Sequence, residues 1–160
     1  MRVSLSLRGD YAVRAMLALA EHEHAPERAV APVHQGGPGP ARTPGGAAPE
    51  LLSAAAIAER KRIPPRFVAH VLGDLVRAGL VIGSTGRRGG YRLAAPATDI
   101  DLLRVVDAAE RGDSPARCVL RGIPCDPTGR CAAHDAFSAA TAAVRTELAR
   151  TSLASLVAAR

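Results

Sequence analysis

Residues 55–81 read AAIAERKRIPPRFVAHVLGDLVRAGLV. Ser53, just ahead of them, can cap a short helix expected over Ala54–Arg60. The chain then breaks at KRIPP. Pro64 and Pro65 suit the first turn of a second helix, where a missing N–H costs little. That helix is expected from Pro65 to Ala78. Phe67, Val68, Val71, Leu72, Leu75 and Val76 recur along it as a core-facing stripe, and Gly79 offers a C-terminal stop. Two short helices with a tight connection form a helix-turn-helix pattern.

Residues 80–96, LVIGSTGRRGGYRLAAP, extend the pattern. Leu80–Ile82 and Tyr91–Leu93 are short strands around a glycine-rich turn that carries Arg87 and Arg88. A hairpin placed directly after a helix pair makes a wing, and Pro96 closes the unit. Tyr91 is expected to pack the base of the wing. Upstream, residues 1–7 alternate weakly, as a short strand or lead-in. Asp10 can cap a helix over Tyr11–His22 that is apolar on almost every face, so it belongs in the core or between subunits. Residues 24–50 are rich in proline, glycine and alanine without periodicity, as in a disordered surface insertion. Downstream, Asp99–Ala109 is a helix with acids at its start and with Ile100, Leu103, Val106 and Leu102 as its apolar members. His134–Arg150 is a second helix with Phe137, Ala140, Val144 and Leu148 as its stripe. Nothing remains in the chain to cover that stripe, so a second subunit is expected there. The tail 151–160 has Leu153, Leu156 and Val157 to pack back.

The expected fold class is mainly α with a small β-hairpin wing: a winged helix-turn-helix plus a long dimerisation helix. The expected domains are 1–97, a winged helix-turn-helix DNA-binding domain with a disordered insertion at 24–50, and 98–160, with a ligand-binding cysteine loop (118–134) and the dimerisation helix (134–150). With 160 residues, 48% of them hydrophobic, a core can be built, but aromatics are only 2%, so Ala, Leu and Val must fill it. A formal charge of +6 and a pI near 10.2 favour polyanions as partners. No secretory leader is read and no apolar run can span a membrane, so the expected location is cytoplasmic. No nucleophile–base set points to an enzyme.

All three cysteines fall in CVLRGIPCDPTGRCAAH, residues 118–134, and His134 follows the last of them. An odd cluster in a reducing compartment reads as metal ligands, not disulfides. Cys118, Cys125, Cys131 and His134 suit an iron–sulfur cluster or zinc, and spacing alone leaves both open. For DNA, the candidates are Arg60, Lys61, Arg62, Pro65, Arg66 and His70 at or before the second helix of the pair, whose first turns would enter the major groove. Arg87, Arg88 and Arg92 of the wing would reach a minor groove or phosphates. Arg2, Arg8 and Arg14 could add phosphate contacts.

The segments SLRGDYAVRAMLALA (6–20), AAIAERKRIPPRFVAHVLGDLVRAGLV (55–81) and GRRGGYRLAAPATDIDLLRVVDAAE (86–110), followed by the three-cysteine loop, resemble the IscR and NsrR type of winged-helix iron–sulfur regulators. The resemblance covers nearly everything except 24–50. It implies a homodimeric repressor or activator on a palindromic double-stranded operator, with a 2Fe–2S or 4Fe–4S cluster in each cysteine loop. It implies that the long helix crosses its mate. It also implies a fourth ligand: His134, as in IscR-like proteins, or Asp10 reaching the other subunit's cluster, as in NsrR-like ones. Three departures stand out. The family's serine and tyrosine near the start of the recognition helix are here proline (64 or 65) and Phe67. The first cysteine gap is one residue longer than usual. The 24–50 insertion replaces a short link.

Overall fold

The computed structural model describes residues 5–24, 51–86, 89–110, 120, 123 and 129–159. The described chain is mainly helical with one antiparallel hairpin: α1 (Leu7–His24), α2 (Ala54–Lys61), α3 (Pro65–Arg77), β1 (Val81–Ser84), β2 (Gly90–Leu93), α4 (Leu102–Glu110), α5 (His134–Arg150) and α6 (Leu153–Ala158). Most of the expected insertion, residues 25–50, lies outside the described residues.

Helix α1 is the centre of the core. Tyr11, Ala12, Ala15, Met16, Ala18, Leu19 and Ala20 are all buried, and the helix touches α2, α3, α4, α6 and β2. Small residues let so many neighbours approach one helix. It begins four residues earlier than expected, and residues 5–7 form no strand. Its cap is Ser6, whose Oγ accepts from the Gly9 N–H at 3.1 Å. Asp10 instead sits inside the first turn, where it accepts from Arg14. A short hydroxyl at the N-cap reaches the N3 amide; a residue already three positions inside the helix cannot.

The helix pair follows its sequence signals. Ser53 Oγ accepts from the Ala56 N–H at 3.2 Å, Pro64 is the N-cap of α3 and Pro65 its first residue. The turn leaving α2 passes through Arg62 in the left-handed region at φ 52°. After α3, Gly79 takes φ 69°, with its N–H to Val76 O and the Leu80 N–H to Leu75 O, both 3.0 Å. That pair of bonds is a Schellman closure, which favours glycine at the left-handed position. The core stripe of α3 is narrower than its periodicity indicates. Val68, Val71, Leu72 and Leu75 are buried, but Val76 is 40% exposed, and Phe67 turns toward α1.

In the wing Val81 pairs with Leu93, and Ser84 with Gly90, so both strands run slightly longer than expected. Leu52 adds a third pairing, exchanging bonds with Tyr91 at 3.0 and 2.9 Å. A Cβ on Gly90 would lie 2.9 Å from Leu51 Cβ and Leu52 O, so the third glycine of GRRGGY permits this close approach. The ring of Tyr91 covers Gly83: a Cβ there would be 3.2 Å from Cε1.

Helix α4 starts later than expected because Asp101, not Asp99, caps it, accepting from the Arg104 N–H at 2.9 Å. Ile100 is buried just before it, and Val105 and Val106 are its inner face. The tail returns here: Leu102 N–H bonds to Thr151 O at 2.8 Å, and Leu153 N–H to Ile100 O at 2.9 Å. Leu153 is fully buried. Residues on both sides of position 97 therefore share one continuous core.

Candidate nucleic-acid interface and metal centre

Positions 66, 69, 70, 73 and 77 of α3 recur at spacings of three and four and share one face. Arg66, Ala69, His70 and Arg77 are exposed there, and Gly73 is half-buried with no atom within 4 Å of the place a Cβ would occupy. The face is therefore open, basic and shallow. Pro65 lies exposed at its N-terminal end. The Arg66 guanidinium sits 4.8 Å from the Phe67 ring centroid, and Phe67 in turn packs on Tyr11 with ring centroids 5.5 Å apart. Phe67 thus serves as a platform that joins α3 to α1 and braces Arg66.

The basic run 60–62 divides. Arg60 and Arg62 are exposed. Lys61 turns inward: its Nζ is bound by both oxygens of Glu21, at 2.6 and 2.7 Å, and its side chain is only 8% exposed. Its charge is spent tying α2 to α1. In the wing, Arg92 is half-buried and donates to Leu93 O at 3.3 Å. Arg87 and Arg88 lie outside the described residues. Of the two described arginines of α1, Arg14 pairs with Asp10 at 2.7 Å, and Arg8 pairs with Asp74 on α3.

Asp74 escaped the sequence reading. It is the buried charged residue of the described core, 4% exposed. Arg8 Nε donates to its Oδ2 at 2.6 Å, Arg8 Nη2 binds the same oxygen, and Arg77 Nη2 binds Oδ1. The available signal was an acid on the flank of an otherwise apolar and basic helix. Glu110 was missed too. At the end of α4, just before the cysteine segment, its Oε1 accepts from the Ser6 N–H at 2.9 Å. It fills the space a side chain at Gly9 would need, 2.8 Å from the site of a Cβ.

Of the metal-ligand candidates, Cys131 and His134 are described, and Cys118 and Cys125 lie outside the described residues. His134 opens α5, with its N–H bonded to Cys131 O at 3.0 Å, so the two donors are one turn apart at the root of that helix. His134 Nε2 lies 3.4 Å from Ser138 Oγ. Cys131 is half-exposed and free. Asp10, the alternative donor, is half-exposed and engaged by Arg14.

Helix α5 has no buried residue along its 17 positions. Val144 and Leu148 are half-buried, and Phe137 is 43% exposed. A polar strut ties the helix to α4, with Arg145 Nη1 and Nη2 on Asp107 Oδ1 and Oδ2, both at 2.9 Å. Hydrogen bonding to Asp107, and then its charge, raise the Arg145 pKa above its ordinary value.

A helix pair with an open basic second helix, followed by a hairpin, defines the winged helix-turn-helix class of DNA-binding proteins. The family described as "Rrf2: Iron-dependent Transcriptional regulator" matches residues 46–159. The chain belongs to the Rrf2 family: it is a DNA-binding transcriptional regulator and not an enzyme. An rrf2-like HTH-type regulator of Rhodobacter capsulatus is 36% identical over 80 residues, covering 49% of this chain and 53% of the relative. The regulator IscR of Vibrio atlanticus is 30% identical over 132 residues, covering 82% of this chain and 62% of the relative. The chain thus spans only part of either relative. Among solved structures, CymR, the global cysteine regulator of B. subtilis, superposes with a TM-score of 0.69 at 19% identity, covering 99% of both chains. IscR of T. potens gives 0.64 at 21% identity, covering 97% of this chain and 86% of that one. At these identities the superpositions speak for the fold. Among the described residues no helix is long and apolar enough to cross a membrane.

Proposed function

We propose that the chain is a cluster-controlled regulator acting as a homodimer on a palindromic operator in the cytoplasm. The observation that carries this reading is the position of Cys131 and His134 at the root of a helix with no fully buried residue among the described ones. The donor chemistry fits: three thiolates and an imidazole, or three thiolates and the carboxylate of the other subunit's Asp10, suit a 2Fe–2S or 4Fe–4S cluster. In this reading Cys118, Cys125, Cys131 and His134 hold the cluster, and the non-cysteine ligand makes it open to attack by nitric oxide or oxidants. When bound, the group supplies a redox- and nitric-oxide-sensitive centre.

The chain's own residues then do the coupling. Helix α5 mates with its copy through Phe137, Ala140, Val144 and Leu148. The Asp107–Arg145 strut holds the winged body at a set angle to that mate. The angle fixes the separation of the two α3 helices, which must reach successive major grooves about 34 Å apart. Arg66 is assigned to a base edge, with His70 and Pro65 beside it. Arg60, Arg62, Arg87, Arg88 and Arg92 are assigned to phosphates or the minor groove. Lys61 is assigned to the fold, because Glu21 already neutralises it.

The test is anaerobic purification with ample iron and sulfide, followed by absorption and Mössbauer spectra and by operator titration before and after nitric oxide. A coloured protein whose operator affinity changes on cluster loss is expected. The second reading is a zinc-stabilised or metal-free winged-helix regulator or interaction module, since three cysteines and a histidine also suit structural zinc. Colourless protein with stoichiometric zinc, or with no metal and full operator affinity, would establish it instead.

A further inference from the structure

One buried carboxylate would be neutralised by one arginine. Asp74 has two, and they come from different elements: Arg8 from the first turn of α1 and Arg77 from the last turn of α3. The carboxylate is divided between them, Oδ2 to Arg8 and Oδ1 to Arg77. Its side chain is 3% exposed, while those of Arg8 and Arg77 are 37% and 71% exposed. Among the described residues the group therefore carries one uncompensated positive charge, and that charge lies at the solvent boundary. Each guanidinium has five N–H donors, of which the shared carboxylate takes two from Arg8 and one from Arg77. Arg77 stands on the same face of α3 as Arg66 and His70. Arg8 lines, with Phe67 and His70, a cleft of about 340 Å³ at the α1–α3 junction.

We propose that Asp74 organises Arg8 and Arg77 into a two-pronged clamp for one backbone phosphate of the DNA duplex, and that it acts as a positioning residue for DNA binding. A phosphate supplies the missing negative charge and accepts from both planar forks, a geometry that a lysine point charge does not reproduce. The clamp spans α1 and α3, so a phosphate held there also fixes how deeply α3 lies in the groove. Phosphate contacts set register and carry no sequence information. The proposal rests on DNA binding alone and is independent of any cluster.

Its test exploits a conflict of signs. Bulk electrostatics predicts that Asp74→Asn, which removes a negative charge beside the DNA face, tightens binding. The clamp predicts the opposite, because the two guanidinium groups lose their common anchor. The full chain is titrated against a fluorescent duplex of arbitrary sequence over a series of salt concentrations. The expected result for D74N is binding weakened about three- to tenfold near 0.1 M salt. The log–log salt slope should also be shallower by about one unit, for the loss of one phosphate contact. Arg77→Lys, which keeps the charge at an exposed position, should weaken binding comparably. If D74N fails to fold, R77K decides alone. A D74N chain that binds as tightly as the wild type or more tightly, or an R77K chain indistinguishable from it, overturns the clamp. A wild-type chain that leaves this duplex free at low salt overturns DNA binding itself, and the clamp with it.

Discussion

Gly73 and Arg62 show how single backbone positions divide stability from function. Gly73 lies in mid-helix with open space where a side chain would project. Gly73→Ala should raise unfolding stability by roughly 0.5–1 kcal/mol in a denaturant titration, from helix propensity alone. If the open face of α3 meets DNA at close range, the same substitution should lower operator affinity. Arg62 holds a left-handed conformation without being glycine. Arg62→Gly should relieve up to about 1 kcal/mol of strain. A second contrast separates the basic run. Lys61→Gln breaks the bond to Glu21 and should lower the melting temperature with little specific effect on DNA. Arg66→Ala should leave melting nearly unchanged and weaken the operator complex by about 1–3 kcal/mol if it reads a base. Sequence inspection could not make that division. The run ERKR presents its cations alike, and only the position of Glu21 on the neighbouring helix shows which of them is already paired.

At the level of elements, the short C-terminal helix packs into the body, whereas the long one lies against α4 with no fully buried residue. Leu153 is fully buried against Ile100 and α1. Leu153→Ala should cost about 2–5 kcal/mol of unfolding free energy in a denaturant titration. Helix α5 has no fully buried residue. With α5 as the proposed dimer interface, Val144→Asp should leave the winged body folded by circular dichroism while shifting sedimentation from the proposed dimer to a monomer. An unchanged dimer would remove α5 from the interface. The helix pair, the wing and α5 were legible in the sequence, because propensity, proline and glycine signals and apolar periodicity all act within a few residues. The starts of α1 and α4 were misplaced. Each has competing acids and hydroxyls near its beginning, and which one caps depends on how the helix enters the core. Leu52's pairing with Tyr91 was not legible either, since it joins positions that local pattern does not connect.

For the molecule as a whole, the proposed switch works through a narrow set of joints: Asp107–Arg145 between body and α5, and the first turn of α1 between Glu110 and Asp74. Asp107→Asn should loosen α5 relative to the body. In the cluster-bound dimer it should reduce operator affinity more than affinity for a single half-site. Equal loss on both would show that the strut does not set the spacing of the recognition helices. Cluster removal should act in the same direction as strut removal. Measuring the two together reports whether they share a path, because additive effects mean independent sites and a non-additive result means coupling.

Local chemistry determined the winged helix-turn-helix, the supply of soft donors in one short segment and the basic character of the reading surface. These are properties of residue type and spacing, fixed before any long-range contact forms. The tertiary structure decided which charges are spent and which remain available. Asp74 gathers Arg8 and Arg77, and Glu21 removes Lys61, because burial forces a charged group to find a partner wherever the packing places one.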